Sequence, residues 1–537
     1  MNIRVLDCTL RDGGYINNWD FGEDCIRQII TRLKDAKLDI IEVGFLDNTR
    51  PFSKDSTLYP STMDVNSMLP HKEMFNGDFV AMVMLGKCPI ENIQDAKDSQ
   101  LDGIRVCFRK QQLQEAVDYS KEILKKGYKL FWQPASLTDY SDSDILTLVE
   151  QANRIQPVAV YMVDTYGLMH KNDVIHYFSV FNNNLDKDIA IGFHSHNNLQ
   201  LSFSNSLALF DLLPNRNLIV DSSVFGMGRG AGNLCTELLT KYLNDNYSQH
   251  YNLVPILEIV DDYINPIFKR LPWGYSVAYY VAAINNCHPN YASFLVNKQT
   301  VGVKKINDIL GLIPEPYKRN YNQDLIEQLY IENLKKDIDD QITIEKIKTE
   351  IGDRKVLVVA PGKSILDYQE SLLDFVRREN PWVVTVNFKW EMVHSDMLFI
   401  SNLKRFSHFP TLNQIQVRNI VITSNLADQT DMADYLMVNY SSLTCNNTEE
   451  ADNAGMMVLR LLQRAGVRNV YVAGYDGFNP NPYENYHSDN LRINMPTEII
   501  ESKNQSIANQ LKELLKVLNV QFVTPSIYPS LIENENV

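Results

Sequence analysis

Residues 189–195 read IAIGFHS, a short β-branched run that closes on two polar residues and leads into His196-Asn197. A compact apolar run of this length, rich in β-branched residues, reads as a buried strand. Six similar runs precede it, at 3–8 (IRVLDC), 38–45 (LDIIEVGF), 79–85 (FVAMVML), 103–108 (GIRVCF), 130–136 (LFWQPAS) and 159–164 (AVYMVD), and one follows, at 218–224 (LIVDSSV). Helix-length segments generally separate successive runs. Eight parallel βα units in about 250 residues is the arithmetic of a (β/α)8 TIM barrel, and a closed barrel accommodates eight units better than a doubly wound sheet does. The run at 189–195 is then the seventh strand.

Beyond residue 250 the pattern changes. VPILEIVDDYINPIF, SVAYYVAAINN and VKKINDIL have helical spacing without strand partners, so 251–330 is expected to be a helical extension covering the barrel. Residues 331–354 (IENLKKDIDDQITIEKIKTEIGDR) are highly charged with sparse apolar positions, and are expected to form a solvated helix or charged linker, hence a domain boundary. A second α/β pattern starts at Lys355, with strands expected at 355–360, 382–388, 396–400, 419–424, 434–438, 469–473 and 520–524. Residues 355–537 thus read as an open, Rossmann-like sheet.

The balance of 51 basic against 66 acidic side chains, net −15, argues against non-specific binding to nucleic acid or to an anionic membrane, since both require clustered cations. No apolar run approaches the roughly 20 residues that cross a bilayer. The start of the chain lacks the apolar core of a signal peptide. Seven cysteines without a CxxC pair do not make a disulfide framework or a zinc ribbon. A cytoplasmic, reduced protein acting on small molecules is expected, as a homo-oligomer.

Two short motifs carry chemistry. His194 and His196 are two apart in a strand, so both imidazoles point the same way, at the carboxyl end of a barrel strand where barrel active sites lie. Paired imidazoles suit a divalent metal, although a bare His-x-His is more often structural. The first strand runs into Thr9-Leu10-Arg11-Asp12-Gly13-Gly14-Tyr15. Asp12 is a hard oxygen ligand, Arg11 a fixed cation with a planar fork of donors, and the paired glycines let the backbone turn sharply.

Thr9-Leu10-Arg11-Asp12-Gly13 together with His194-Ser195-His196-Asn197 resembles the paired motifs of the DRE-TIM metallolyases. That superfamily includes 4-hydroxy-2-oxovalerate aldolase, hydroxymethylglutaryl-CoA lyase, isopropylmalate and homocitrate synthases, and biotin-dependent carboxyltransferases. The resemblance implies Asp12, His194 and His196 as metal ligands, with Arg11 stabilising an enolate. Glu42, in Ile41-Glu42-Val43-Gly44, matches the acid of the second strand. Asn233, closing Gly226-Met227-Gly228-Arg229-Gly230-Ala231-Gly232-Asn233, matches the glycine-rich loop after the eighth strand and joins the metal set. Mn²⁺ or Mg²⁺ is the expected ion, with Zn²⁺ and Co²⁺ as alternatives. Met162-Val163-Asp164-Thr165-Tyr166-Gly167 has no lysine, which argues against the carboxyltransferase branch.

The stretch Trp273 to Tyr280 is similar to the extension of the oxovalerate aldolases, and by that likeness Tyr275 reaches the site. The aldolases place a catalytic histidine shortly after Arg-Asp-Gly. This chain has Tyr15 there, which is either a base, if the metal and Arg11 lower its pKa of about 10, or only a hydrogen-bonding partner of the substrate. The implied activity is a metal-dependent aldolase or lyase acting on a 2-keto acid such as pyruvate and an aldehyde. The alternatives are Claisen-type acyl-CoA chemistry on the same fold, or a non-catalytic scaffold in glycan assembly.

In the second α/β region Pro361-Gly362-Lys363-Ser364 lacks the first glycine of a P-loop, which excludes a P-loop NTPase. Gly362-Lys363-Ser364-Ile365, Val386-Asn387-Phe388, Gly474-Tyr475-Asp476-Gly477 and Tyr486-His487-Ser488 resemble motifs of bacterial sialyltransferases and related sugar-locus proteins. By that resemblance Asn387 contacts a nucleotide-sugar, His487 is a general base, and the chain acts in surface-carbohydrate metabolism. A binding or structural domain is the plainer reading.

Overall fold

Eight parallel strands close on themselves in the computed structural model: β1 (Ile3–Asp7), β2 (Ile40–Leu46), β3 (Asp78–Met84), β4 (Gly103–Phe108), β5 (Lys129–Pro134), β6 (Ala159–Asp164), β7 (Ala190–Ser195) and β8 (Leu218–Ser222). Closure comes from β1, which pairs with β2 through Leu6 and Ile40 and with β8 through Ile3 and Leu218. A two-residue strand, Leu58–Tyr59, adds to the end of β2. The structure describes residues 3–212, 216–298, 300–406, 417–429, 435–445, 450–488 and 497–534.

Period-two alternation sorts each barrel strand into two faces. Ile41 and Val43 of β2, Ile104 and Val106 of β4, and Val220 of β8 join the core between strands and outer helices. Leu6, Ile40, Val80, Phe131, Tyr161 and Ile219 fill the barrel interior. The interior also takes Glu42, Arg105 and Asp221, all fully or almost fully buried. The outer helices include Glu23–Asp35, Leu113–Lys125, Asp142–Ile155, Lys171–Asn184, Ser202–Asp211 and Thr236–Tyr247. Only short turns, Ile90–Asn92 and Ala96–Asp98, lie between β3 and β4. Gly44, at φ 148°, sits where the register of β2 on β3 shifts between Glu42 and Phe45.

The chain divides into two compact units, one of Met1–Phe294 with Leu310–Asn322 and one of Leu295–Ile309 with Gln323–Val537. The expected helical extension is helical, but it is shared between the units rather than assigned to the barrel as a block. In the first unit Trp273 anchors it, packing edge-on against Phe268 at 4.9 Å and donating to the Phe225 carbonyl at 3.1 Å.

The expected solvation of 331–354 is corrected by the structure, while a helix there is one of the two expected forms. The stretch contains the end of a helix at Gln323–Leu334 and a helix at Gln341–Ile351 whose Ile344, Ile347 and Ile351 are buried within the second unit. Asp340, buried just before that helix, is held by both terminal nitrogens of Arg464 at 2.7 and 2.8 Å. The stretch is anchored by a packed helix and the ion pair of the buried Asp340, and is not a free tether.

The second unit carries seven parallel strands: β9 (Val356–Val359), β10 (Trp382–Val386), β11 (Met397–Ile400), β12 (Asn419–Thr423), β13 (Leu436–Val438), β14 (Asn469–Ala473) and β15 (Asn519–Phe522). Their order is β13-β12-β11-β10-β9-β14-β15, a doubly wound sheet that reverses direction between β9 and β14. Residue 434, the start of the expected fifth strand, lies outside the described residues. No helix among the described residues is long and apolar enough to cross a membrane. All seven cysteines are free thiols.

Candidate metal centre and cavity

The metal motif assembles from three places. Asp12 lies just past β1 in a one-turn helix, Thr9–Asp12, while His194 and His196 come from the end of β7 and the residue after it. The three are buried, and one ligand atom from each lies within 4.8 Å of the others, the one such cluster among the described residues. The two imidazole rings stand perpendicular with centroids 5.2 Å apart. Burial opposes ionisation of Asp12, but Arg11 and both imidazoles outweigh it and hold the carboxyl well below its ordinary range. Burial pushes the His196 imidazole down to about 3, which keeps it neutral. An anionic carboxylate beside a neutral imidazole suits a cation.

Behind these residues runs a continuous chain of buried charges. Arg11 pairs with Asp12 and, through Nε, with Glu42 at 2.7 Å. Glu42 also pairs with Arg105 at 2.8 Å, Arg105 with Asp221, and Asp221 accepts from His194 Nδ1 at 3.0 Å. Burial would raise the Asp221 carboxyl, yet Arg105 and His194 hold it below its usual value. Arg105 and Asp221 were not singled out from the sequence. The signal was present: each is a charged residue at an inward position of an otherwise apolar strand.

Asn233 enters by an antiparallel bridge to His196, and its Nδ2 donates to Asp12 Oδ2 at 2.6 Å. Its Oδ1 is buried without a hydrogen-bond partner. Gly228 is required at this point, because a Cβ there would stand 2.2 Å from Asn233 Nδ2 and 2.8 Å from Asp12 Oδ2.

The site opens into a cavity of about 640 Å³ whose walls include Arg11, Asp12, Tyr15, His194, His196, Arg229, His288 and Arg319. Tyr15 rests between the Arg229 guanidinium, 5.3 Å from its ring centroid, and Trp19, 4.7 Å away. Burial raises its phenol above the ordinary value despite Arg229, so Tyr15 meets a ligand as a protonated donor. Tyr275 does not reach the site: it is 59% exposed, leans on Tyr280 with ring centroids 6.5 Å apart and is absent from the cavity wall. The extension contributes His288, Arg319 and Tyr321 instead. His288 stands edge-on to Tyr166 at 5.7 Å, its Nδ1 accepts from the Asn290 N–H at 3.1 Å, and burial lowers its imidazole to about 3. A neutral ring with Nδ1 as acceptor carries its proton on Nε2.

In the second unit a cavity of about 190 Å³ opens where the sheet reverses, walled by Pro361, Gly362, Asn387, Ser401 and Asp476 among others. Asn387 holds a left-handed backbone, φ 60°, and its Oδ1 accepts from Ser401 N–H at 3.1 Å. The turn after β9 is already satisfied: Ser364 N–H donates to Asp476 at 2.7 Å, and Lys363 pairs with Glu484 at 2.6 Å. His487 is not on this cavity wall. It packs on the Phe388 ring at 4.6 Å, with Nδ1 bonded to the Pro361 carbonyl at 3.2 Å.

Comparison with known proteins agrees with the barrel site. The HMGL-like family matches residues 2–262. An oxaloacetate decarboxylase of Mycobacterium tuberculosis is 26% identical over 281 residues, covering 51% of this chain and 79% of the relative. A 4-hydroxy-2-oxovalerate aldolase of Pseudoalteromonas translucida is 26% identical over 272 residues, covering 50% and 77%. Among solved structures, the HMG-CoA lyase of Brucella melitensis aligns with TM-score 0.40 at 15% identity, over 48% of this chain and 96% of that one. Residues 2–262 form an HMGL-like domain of the DRE-TIM metallolyase type, a family of metal-dependent carbon–carbon lyases and aldolases.

Proposed function

We propose that the first unit is a divalent-metal-dependent aldolase that makes or breaks a carbon–carbon bond through the enolate of a 2-keto acid such as pyruvate. The observation that carries this reading is the buried Asp12–His194–His196 cluster beside Arg11 at the mouth of the barrel. Asp12, His194 and His196 would hold the ion, with Asn233 Oδ1 as a further oxygen donor. The residues fit such an ion. His194 bonds through its Nδ1 to a carboxylate, as ligating imidazoles commonly do, and Asn233 Oδ1 and His196 Nδ1 are buried without partners. Oxygen and imidazole donors suit Mn²⁺ or Mg²⁺, and accept Zn²⁺ or Co²⁺. The chemistry such an ion supplies is Lewis-acid polarisation of a carbonyl oxygen.

The chain's own residues do the rest. Glu42 and Asp12 fix Arg11 Nε and Nη1, while Nη2 is buried with no partner. That nitrogen is a preorganised donor for the enolate oxygen, ready without rearrangement. In the cleavage direction the bond from C3 to the carbinol carbon breaks, its electron pair passes into the enolate, the carbinol O–H proton passes to water, and C3 of the enolate then takes a proton from water to give the keto acid. Tyr15 and the Nε2–H of His288 supply neutral donors suited to hold the departing aldehyde oxygen.

The test is solvent deuterium exchange at the methyl group of pyruvate, which needs enolisation and no aldehyde. Metal-loaded protein is expected to exchange it, and protein treated with a chelator is not. Absence of exchange with Mg²⁺, Mn²⁺, Co²⁺ and Zn²⁺ alike would overturn the reading. Calorimetric metal affinity unchanged in both His194→Ala and His196→Ala would overturn the ligand assignment.

For the second unit we propose a nucleotide-sugar ligand at the switch-point cavity, contacted by the Asn387 amide, which would connect the chain to carbohydrate metabolism. The support is the position of the cavity, where doubly wound sheets bind their ligands. Thermal shift with CMP-, UDP- and GDP-sugars is expected to reveal one ligand whose shift is lost in Asn387→Ala. No shift with any of them sinks this part.

A further inference from the structure

The barrel cavity holds more positive charge than its proposed keto acid can use. Its inner layer balances. Arg11 and Arg105 face Asp12, Glu42 and Asp221, leaving one net negative charge, which a divalent ion and a singly charged keto acid bring to zero. The outer wall does not balance. Arg229 has no carboxylate within ion-pair reach among the described residues, and meets only the Thr165 carbonyl at 3.4 Å and the Tyr15 ring. Arg319 touches Asp139 through Nε at 3.4 Å, while its Nη1 is buried with no hydrogen-bond partner. Arg109 donates to the neutral Asn320 side chain at 2.6 Å.

These guanidiniums lie on one wall. Arg229 sits against Thr165 and Arg319 lies 5.1 Å over the ring of the next residue, Tyr166. His288 packs on the same ring, and the charges of Arg229 and Arg109 both reach it. A partly buried cation without a counter-ion is costly, and a planar guanidinium is shaped for the paired oxygens of a phosphate or carboxylate. We infer that the carbonyl partner taken by this site carries an anionic group of its own, a phosphate or a carboxylate, which Arg229 and Arg319 hold away from the reacting carbon. The inference rests on the aldolase reading for the rest of the reaction.

The test is aldol addition of pyruvate by the metal-loaded full chain to aldehydes paired by size: propanal against glycolaldehyde phosphate, and butanal against succinic semialdehyde. The expected kcat/KM for at least one anionic member exceeds that of its neutral pair by about 100-fold, and the advantage shrinks with added salt. Which pair shows the advantage tells phosphate from carboxylate. In Arg229→Ala and in Arg319→Ala that ratio is expected to fall about tenfold or more, through KM. Melting curves check that each variant folds. Should Arg229→Ala not fold, Arg229→Lys keeps the charge without the fork and is expected to lose part of the ratio.

A wild-type ratio near one, or a ratio unchanged in both variants, overturns the inference while pyruvate exchange leaves the aldolase reading standing. If exchange itself fails, calorimetry with 2-phosphoglycolate and succinate decides: binding lost in both variants retains the anion site, and no binding to the wild type removes it. Turnover with acetyl-CoA and with none of the aldehydes overturns both.

Discussion

Arg11 commits two of its donor nitrogens to carboxylates before any substrate arrives, Nε to Glu42 and Nη1 to Asp12. Arg11→Lys would keep the charge and lose the fork, and is expected to fold normally while lowering pyruvate methyl exchange about 100- to 1000-fold, the usual cost of a lost oxyanion donor. Exchange within about threefold of the wild type would show that Nη2 does not touch the oxyanion. His288 gives a prediction on stability. Burial and the nearby Arg229 and Arg109 hold its imidazole at about 3. As pH falls through the unfolded value of about 6.5, the unfolded chain gains a proton that the folded chain refuses. The contribution of His288 is therefore fully present above about 6.5 and is lost as pH falls toward its folded value. Metal-stripped wild type is expected to lose stability relative to His288→Gln between about pH 7.5 and 4, read by urea unfolding at each pH; a gap that stays flat would show a solvated ring. At this scale Asp12, His194, His196, Asn233, Arg11 and Glu42 were legible because a motif or a family likeness names them. Arg105 and Asp221 stood out only as charges at inward positions of apolar strands, and Arg229 and His288 were not legible, because which residues face them across the barrel is not encoded by spacing along the chain.

The elements were more legible than their packing. All eight barrel strands fall within a few residues of the apolar runs at 3–8 through 218–224, because strands buried on both faces read as nearly continuous apolar sequence. The seven runs of the second sheet are likewise recovered. The burial of the helix at Gln341–Ile351 was missed because its stripe is only Ile344, Ile347 and Ile351, and the charges of the surrounding window hide so narrow a face. Tyr275 was misplaced for a related reason, since an aromatic run gives no sign of which ring turns toward the barrel. The loop from Gly226 to Asn233 illustrates an element whose shape serves the site. Gly228→Ala would push a methyl into Asn233 Nδ2 and Asp12 Oδ2. The barrel should still fold, while metal affinity falls about 10- to 100-fold, as it does when groups supporting a ligand are displaced. Calorimetry checks this, and an affinity equal to the wild type would mean that the loop yields without moving Asp12.

At the scale of the whole chain the two units are interleaved, since the chain leaves the first after Phe294, returns at Leu310 and leaves again after Asn322. A cut near Gly352, the boundary that the charge pattern suggests, passes through the second unit. It would remove the helix at Gln341–Ile351 with its three buried isoleucines, and would strip Asp340 from Arg464. Burying a leucine- or isoleucine-sized side chain is worth roughly 1.5–3 kcal/mol. Three such losses are comparable with the 5–15 kcal/mol that typically holds a domain together. The fragment 353–537 is therefore expected to aggregate or to melt without cooperativity, whereas 295–537, which keeps every segment of the second unit, is expected to be soluble and to melt cooperatively. On the other side, 1–322 keeps Arg319 and Tyr321 in the cavity wall along with the bond from Tyr166 to the Arg319 carbonyl, and 1–294 loses all three. Both contain Asp12, His194 and His196, so both are expected to bind one divalent ion, but only 1–322 should retain a preference for an anionic aldehyde. Equal cooperativity of 353–537 and 295–537 would restore the boundary at Gly352. A preference that survives in 1–294 would remove Arg319 from the recognition of the second anion.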